Sequence, residues 1–181
     1  MPKDYATWAS RWRVPLGFAL AAAYLIVAQP SAALLLSGAA IMLAGLLLRA
    51  WSAGYLAKNL RLATGGPYSY TRNPLYLGSA VMGLGAAVAG RSWIMGIAFI
   101  AFFVLMYVPV MKREAHFLQQ EFPEAFASYA RQVPLFFPRL SRVSAGHEKF
   151  QWRLYFNNRE YEAAAGYVAV VLFLAFKMWL R

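Results

Sequence analysis

Cysteine is absent from this sequence, and charge is scarce: Asp, Glu, Lys and Arg together make up 14% of its 181 residues. Without cysteine there is no disulfide framework, no thiolate nucleophile and no cysteine-ligated metal. An ordinary soluble domain carries roughly a quarter charged residues, and here the shortfall is concentrated in runs. No charged side chain occurs from Val14 to Leu48, one (Arg91) occurs from Leu75 to Met111, and none occurs from Ala163 to Phe176. A water-soluble fold of this length cannot hide such runs, which excludes a soluble enzyme, a disordered chain and a secreted scaffold. Internal repeats, low-complexity tracts and a glycine-rich dinucleotide loop are missing as well. What remains is an integral membrane protein: an all-α, polytopic membrane helix bundle that takes up residues 1–181 as one domain.

The apolar runs set the expected spans. A single helix over 14–48 would rise roughly 52 Å, well beyond a hydrocarbon core of about 30 Å. Gln29-Pro30-Ser31 near its middle predicts a tight turn between spans 14–28 and 32–48, with Ser31 capping the second. A cleaved leader is the competing reading of residues 1–28; a second apolar span following at once, with no small-x-small cleavage site, argues against it. Gly90-Arg91-Ser92 splits the next block into spans 75–89 and 92–111, and a fifth span covers 163–180, where Lys177 and Arg181 are placed to snorkel. Gly78, Ser79, Gly83, Gly85, Ala86 and Ala87 give the third span a face of small residues, which predicts a central helix.

Lys and Arg orient the bundle. Fifteen of the eighteen fall in the N-terminal tail, in loop 49–74 or in loop 112–162; only Arg91, Lys177 and Arg181 lie on the other side. The positive-inside rule therefore puts the N-terminus and both long loops in the cytoplasm, and all seven acidic residues go with them. The net charge of +11 is spread along loops flanking spans, as topology and anionic headgroups require, rather than gathered into a nucleic-acid surface.

Two polar segments stand out. In Gly65-Gly66-Pro67-Tyr68-Ser69-Tyr70-Thr71-Arg72-Asn73-Pro74-Leu75-Tyr76-Leu77-Gly78, the glycines and Pro67 stop a preceding helix, Asn73 suits an N-cap and Pro74 suits the first helical position. Free N–H groups beside Arg72 would form a site for a carboxylate or phosphate, although belt tyrosines and a snorkelling arginine at an interfacial boundary would use the same residues. In segment 112–139, Ala115, Leu118, Phe122, Phe126 and Tyr129 follow helical spacing along an interface, Pro123 predicts a break into two helices, and Val133–Pro138 should be extended. Glu114, just past the fourth span, is either a functional contact or half of an ion pair with Lys112 or Arg113. Before the fifth span, Asn158, Arg159 and Glu160 either start a charged helix or complete a site. His116 and His147 have no partner at metal-ligand spacing, so no metal is expected.

These segments, in this order around an apolar hairpin, resemble the isoprenylcysteine carboxyl methyltransferase family and the related phospholipid methyltransferases. The family pattern G-P-Y-x-Y-x-R-H-P-x-Y-x-G is matched by Gly66-Pro67-Tyr68, Tyr70, Arg72-Asn73-Pro74, Tyr76 and Gly78. Its second element, E-E-x-x-L, F-x-x-x-Y-x-x-Y and V-P-x-x-x-P, is matched by Glu114, Leu118, Phe122, Phe126, Tyr129, Val133-Pro134 and Pro138. The resemblance covers residues 32–140. Asn73 replaces the family histidine, Ala115 the second glutamate, and Phe126 stands where tyrosine is frequent.

The resemblance implies S-adenosyl-L-methionine as methyl donor, a lipophilic acceptor entering from the bilayer, and a site at the cytoplasmic membrane face. It implies Arg72 and Glu114 as the catalytic pair. Cofactor contacts would come from Tyr68, Tyr70, Arg72, Asn73, Leu75, Tyr76, Gly78, Glu114, Tyr129, Val133 and Pro134, and acceptor contacts from Asn158, Arg159 and Glu160. An ionised carboxylate acceptor, isoprenylcysteine-like, needs no base; a lipid amine would have to lose a proton, to Glu114 or Glu160. Two other readings use the same segments. A sterol-reductase-like enzyme using NADPH would carry H-P-N-Y before Gly-Asp, where this chain has Asn73-Pro74-Leu75-Tyr76 and Gly78-Ser79. A non-catalytic membrane protein retaining the fold is favoured only by Ala115.

Overall fold

A computed structural model describes residues 3–58, 60–143 and 148–180; the expectations for His147 and Arg181 lie outside the described residues. It contains seven helices and no strand among those residues: α1 (Lys3–Val27), α2 (Ala32–Ala53), α3 (Pro74–Ala89), α4 (Trp93–Glu121), α5 (Pro123–Gln132), α6 (Trp152–Asn157) and α7 (Tyr161–Trp179), plus a 3-10 turn at Gly66–Ser69. Three of them, α2, α4 and α7, are long and apolar enough to cross a membrane; α3 is apolar but shorter. Their outward faces expose large apolar side chains, including Leu36, Leu47, Ile94, Ile97 and Leu172. An apolar surface of that extent is unfavourable in water and suits hydrocarbon.

The helices α2 and α3 form the centre. Glycines on both, rather than on α3 alone, let their backbones meet. A Cβ on Gly45 would stand 2.6 Å from the Gly78 carbonyl oxygen, and one on Gly85 would stand 2.7 Å from the Met42 amide nitrogen. Helix α1 docks on α4 through Ala9, fully buried against Met106 and Val110. At the turn end of the bundle, Gln29 N donates to the Gly90 carbonyl at 2.8 Å, tying the two hairpin turns together. There Lys177 Nζ donates to the carbonyls of Leu25 and Ile26 at 2.8 and 2.7 Å, so it caps the C-terminus of α1.

Three local expectations change. Helix α4 does not stop near residue 111: it continues to Glu121, because Lys112 to Gln120 are good helix formers and nothing breaks the chain before Pro123. Residues 112–121 are therefore part of α4 rather than a separate interfacial helix, while α5 begins at Pro123 as its ring demands. Ser31 and Asn73 do occupy N-cap positions, but neither side chain makes the capping hydrogen bond. The cap that forms is Ser92, whose hydroxyl accepts from Met95 N at 3.4 Å.

Candidate functional site

The loop end of the bundle is built by two irregular segments laced together. Gly66 has a positive φ of 56°, and any Cβ there would run into the Tyr55 ring, so glycine is required to start the turn. The chain then passes along the stretch after α5. Arg72 N donates to the Pro134 carbonyl (2.9 Å), Thr71 Oγ1 to the Phe136 carbonyl (2.8 Å) and Asn73 Nδ2 to the Leu135 carbonyl (2.8 Å). From the other side, Arg139 N donates to the Tyr70 carbonyl at 3.1 Å, and Tyr129 Oη donates to the Tyr68 carbonyl at 2.7 Å. Asn73 thus serves as a strut between segments, which is why its side chain is not at the helix cap.

Between these segments and the last turns of α4 lies a cavity of about 280 Å³. Tyr68, Arg72, Asn73, Glu114 and Tyr129 line it, so the structure brings together the two residues, Arg72 and Glu114, that the sequence singled out from distant segments. Ala115, Leu118, Phe126 and Leu135 supply apolar wall. The Arg72 guanidinium lies 5.7 Å from the centre of the Phe126 ring, and its Nε is buried with no hydrogen-bond partner among the described residues. Burial pulls the guanidinium below its ordinary pKa, opposed in part by Tyr129. Burial pushes both the Tyr68 and Tyr129 hydroxyls up, with Arg72 countering part of the effect at Tyr129. Both tyrosines are neutral at physiological pH, and the guanidinium is a cation of the cavity lining.

Glu114 does not form the ion pair considered for it. Tyr76 Oη donates to Glu114 Oε1 at 2.7 Å, and Arg13 Nη1 donates to Tyr76 Oη at 2.9 Å. Arg113 instead reaches Ser10 Oγ at 3.1 Å.

Other expected site residues take supporting positions outside the cavity lining. Tyr70 and Pro134 contribute backbone carbonyls, and Val133 is buried in the cluster with Phe126, Tyr129 and Val143. Leu75 offers its carbonyl to Ser79 Oγ at 3.0 Å, Gly78 sits at the α2–α3 crossing, and Tyr76 acts as the bridge to Glu114. Asn158 Nδ2 donates to the carbonyls of Ala53 and Leu56 at the end of α2. Arg159 is exposed and pairs with Glu162 at 2.6 Å. Glu160 is buried, held by both Nε and Nη2 of Arg49 at 3.0 and 2.9 Å, and lies outside the cavity lining.

Sequence reasoning missed Lys58 and Arg61, which also line the cavity, and the roles of Arg13 and Arg49. Arg49 carries a legible signal, being the lone charge inside the otherwise apolar helix 32–53. Arg13 carries none beyond its topological weight.

Fold and site together describe an all-helical bundle with membrane-spanning character whose polar residues converge on one end. The family model for phospholipid methyltransferases matches residues 33–125, and the chain belongs to that family of membrane methyltransferases. The chain is 45% identical over 97 residues to the cobalt-zinc-cadmium resistance protein CzcN of Cupriavidus metallidurans (strain ATCC 43123 / DSM 2839 / NBRC 102507 / CH34). It is 42% identical over 95 residues to the nickel-cobalt-cadmium resistance protein NccN of Alcaligenes xylosoxydans xylosoxydans. In each case the match takes in 51% of this chain and 44% of the relative. No solved structure matches the chain.

Proposed function

We propose that this chain is an S-adenosyl-L-methionine-dependent methyltransferase acting on a lipophilic acceptor, with its donor site in the cavity between Arg72 and Glu114. The observation that carries this reading is Arg72, whose buried Nε has no hydrogen-bond partner among the described residues, lining the same cavity as the Glu114 carboxylate. An unmatched buried donor on a cation and an acceptor across from it suit a zwitterionic amino-acid moiety. Arg72 would hold its carboxylate, Glu114 its ammonium, and the Tyr68 and Tyr129 faces would lie beside the cationic end. When bound, S-adenosyl-L-methionine supplies a methyl group on a sulfonium, open to direct displacement. Phe126, Leu118 and Leu135 keep water from the reacting end, and the laced loops fix the alignment. Of the two carboxylates expected as base, Glu160 is committed to Arg49, which leaves Glu114 to take a proton from an amine acceptor; a carboxylate acceptor would need no base.

We further propose that α1, α2, α3, α4 and α7 all cross the bilayer as a single multi-pass domain, with the N-terminus and the cavity on the cytoplasmic side. The one-sided distribution of Lys and Arg supports this. Calorimetry on detergent-purified protein tests the donor reading: binding of S-adenosylmethionine or S-adenosylhomocysteine is expected, and none of NADPH. The reverse preference would reject it. Lipid extracts incubated with labelled methyl donor would then identify the acceptor.

A further inference from the structure

We infer that Arg13 of α1 is a positioning residue that orients the Glu114 carboxylate through the hydroxyl of Tyr76. The inference rests on the donor-site reading and adds a residue outside the 33–125 family match. A guanidinium has only N–H groups to offer, so the Tyr76 oxygen must accept from Arg13. A phenol has one proton, and with its oxygen facing Arg13 that proton is committed to Glu114 Oε1. One carboxylate oxygen is thereby held, and Oε2 has no hydrogen-bond partner among the described residues. Glu114 is otherwise an exposed side chain with several rotamers, and holding it before a ligand arrives removes part of the ordering cost of binding.

Arg13 is itself held in place. Its guanidinium lies 5.9 Å from the centre of the Tyr107 ring, and Tyr107 packs edge-on to Tyr76 at 5.4 Å. The helix that carries it is pinned on α4 by Ala9, by Tyr5 Oη to the Leu105 carbonyl (3.1 Å) and by Arg113 to Ser10. These other contacts already dock α1, so Arg13 is not needed as an anchor. Its directed bond points at the tyrosine that donates to Glu114.

The test is a mutant cycle on the full chain in lipid nanodiscs, read by calorimetry with S-adenosylhomocysteine and by the unfolding midpoint without ligand. Arg13→Gln and Tyr76→Phe should each weaken binding roughly tenfold, the loss typical of one hydrogen bond to a charged group. The double variant should bind no worse than either single one, because both remove the same link. Arg13→Lys, which keeps a cationic donor, should recover most of the loss and guards against a fold defect in Arg13→Gln. Binding by Arg13→Gln equal to wild type, or losses that multiply to roughly a hundredfold in the double variant, would overturn the inference. If the wild type binds no S-adenosylhomocysteine, the donor reading fails by itself. The ligand-free midpoints still decide on Arg13: non-additive shifts for Arg13→Gln and Glu114→Gln support the link, and additive shifts reject it.

Discussion

Two arginines in this protein, Arg49 and Arg72, are treated in opposite ways. Arg49 gives Nε and Nη2 to Glu160 and Nη1 to Ser79 Oγ and the Leu75 carbonyl. Arg72 gives its guanidinium to no protein acceptor among the described residues, rests on the Phe126 ring and leaves Nε buried and bare. A saturated arginine welds α2, α3 and the start of α7 into one body. An unsaturated one, desolvated beside a cavity, carries a standing free-energy penalty that an anion would remove. The contrast separates scaffold from site without appeal to sequence similarity, and it explains why Glu160 belongs to the first group although it was expected in the second.

The largest effect should come from breaking the saturated pair. Glu160→Ala strands the Arg49 charge where its partner is almost fully buried, which costs on the order of 3–5 kcal/mol and should lower the unfolding midpoint sharply. Protein that still folds should bind S-adenosylhomocysteine normally. Arg72→Ala should do the opposite: a midpoint within about 0.5 kcal/mol of wild type, because no hydrogen bond is lost from its side chain, and a fall in donor affinity of tenfold or more, by calorimetry. Equal loss of stability in both variants would erase the distinction.

The sequence made the bundle legible because membrane runs are long and one-sided signals. Hairpin turns at Gln29-Pro30-Ser31 and Gly90-Arg91-Ser92, the break at Pro123 and the helix starting at Pro74 follow directly from breaker residues and apolar length. The end of α4 was not legible: apolarity stops at Met111, but helical hydrogen bonding does not, and the two boundaries differ by ten residues. The resemblance to the family pattern is what put Arg72 and Glu114 together, since the residues alone also suited an interfacial boundary and a surface ion pair. The partners of Glu114 were hidden, because Arg13 and Tyr76 meet only through the docking of α1 on α4. Likewise Asn158 and Glu160 look like site residues by composition, and only packing shows them spent on the end of α2 and on Arg49.

A smaller effect sharpens the boundary between the groups. Tyr129→Phe keeps the ring that walls the cavity and removes the bond to the Tyr68 carbonyl, leaving that buried acceptor unpaired. The expected cost is about 1–2 kcal/mol in the unfolding midpoint. Donor affinity should fall only as far as Tyr68 shifts, within roughly threefold, because Tyr129 acts here through the loop it holds.

The smallest effect is expected at Asn73, where the family pattern has histidine. What Asn73 supplies is one N–H, donated to the Leu135 carbonyl, that fastens the first helical turn of α3 to the stretch behind α5. A neutral imidazole also carries one ring N–H of similar reach. Asn73→His should therefore leave donor affinity within about twofold and the midpoint within about 0.5 kcal/mol of wild type, whereas Asn73→Ala, which has no donor, should lose about 1 kcal/mol of stability. A gain of tenfold or more in affinity for Asn73→His would mean that histidine does something at this position beyond bracing the loop, and Asn73 would then mark a site altered in its chemistry rather than one preserved by a different strut.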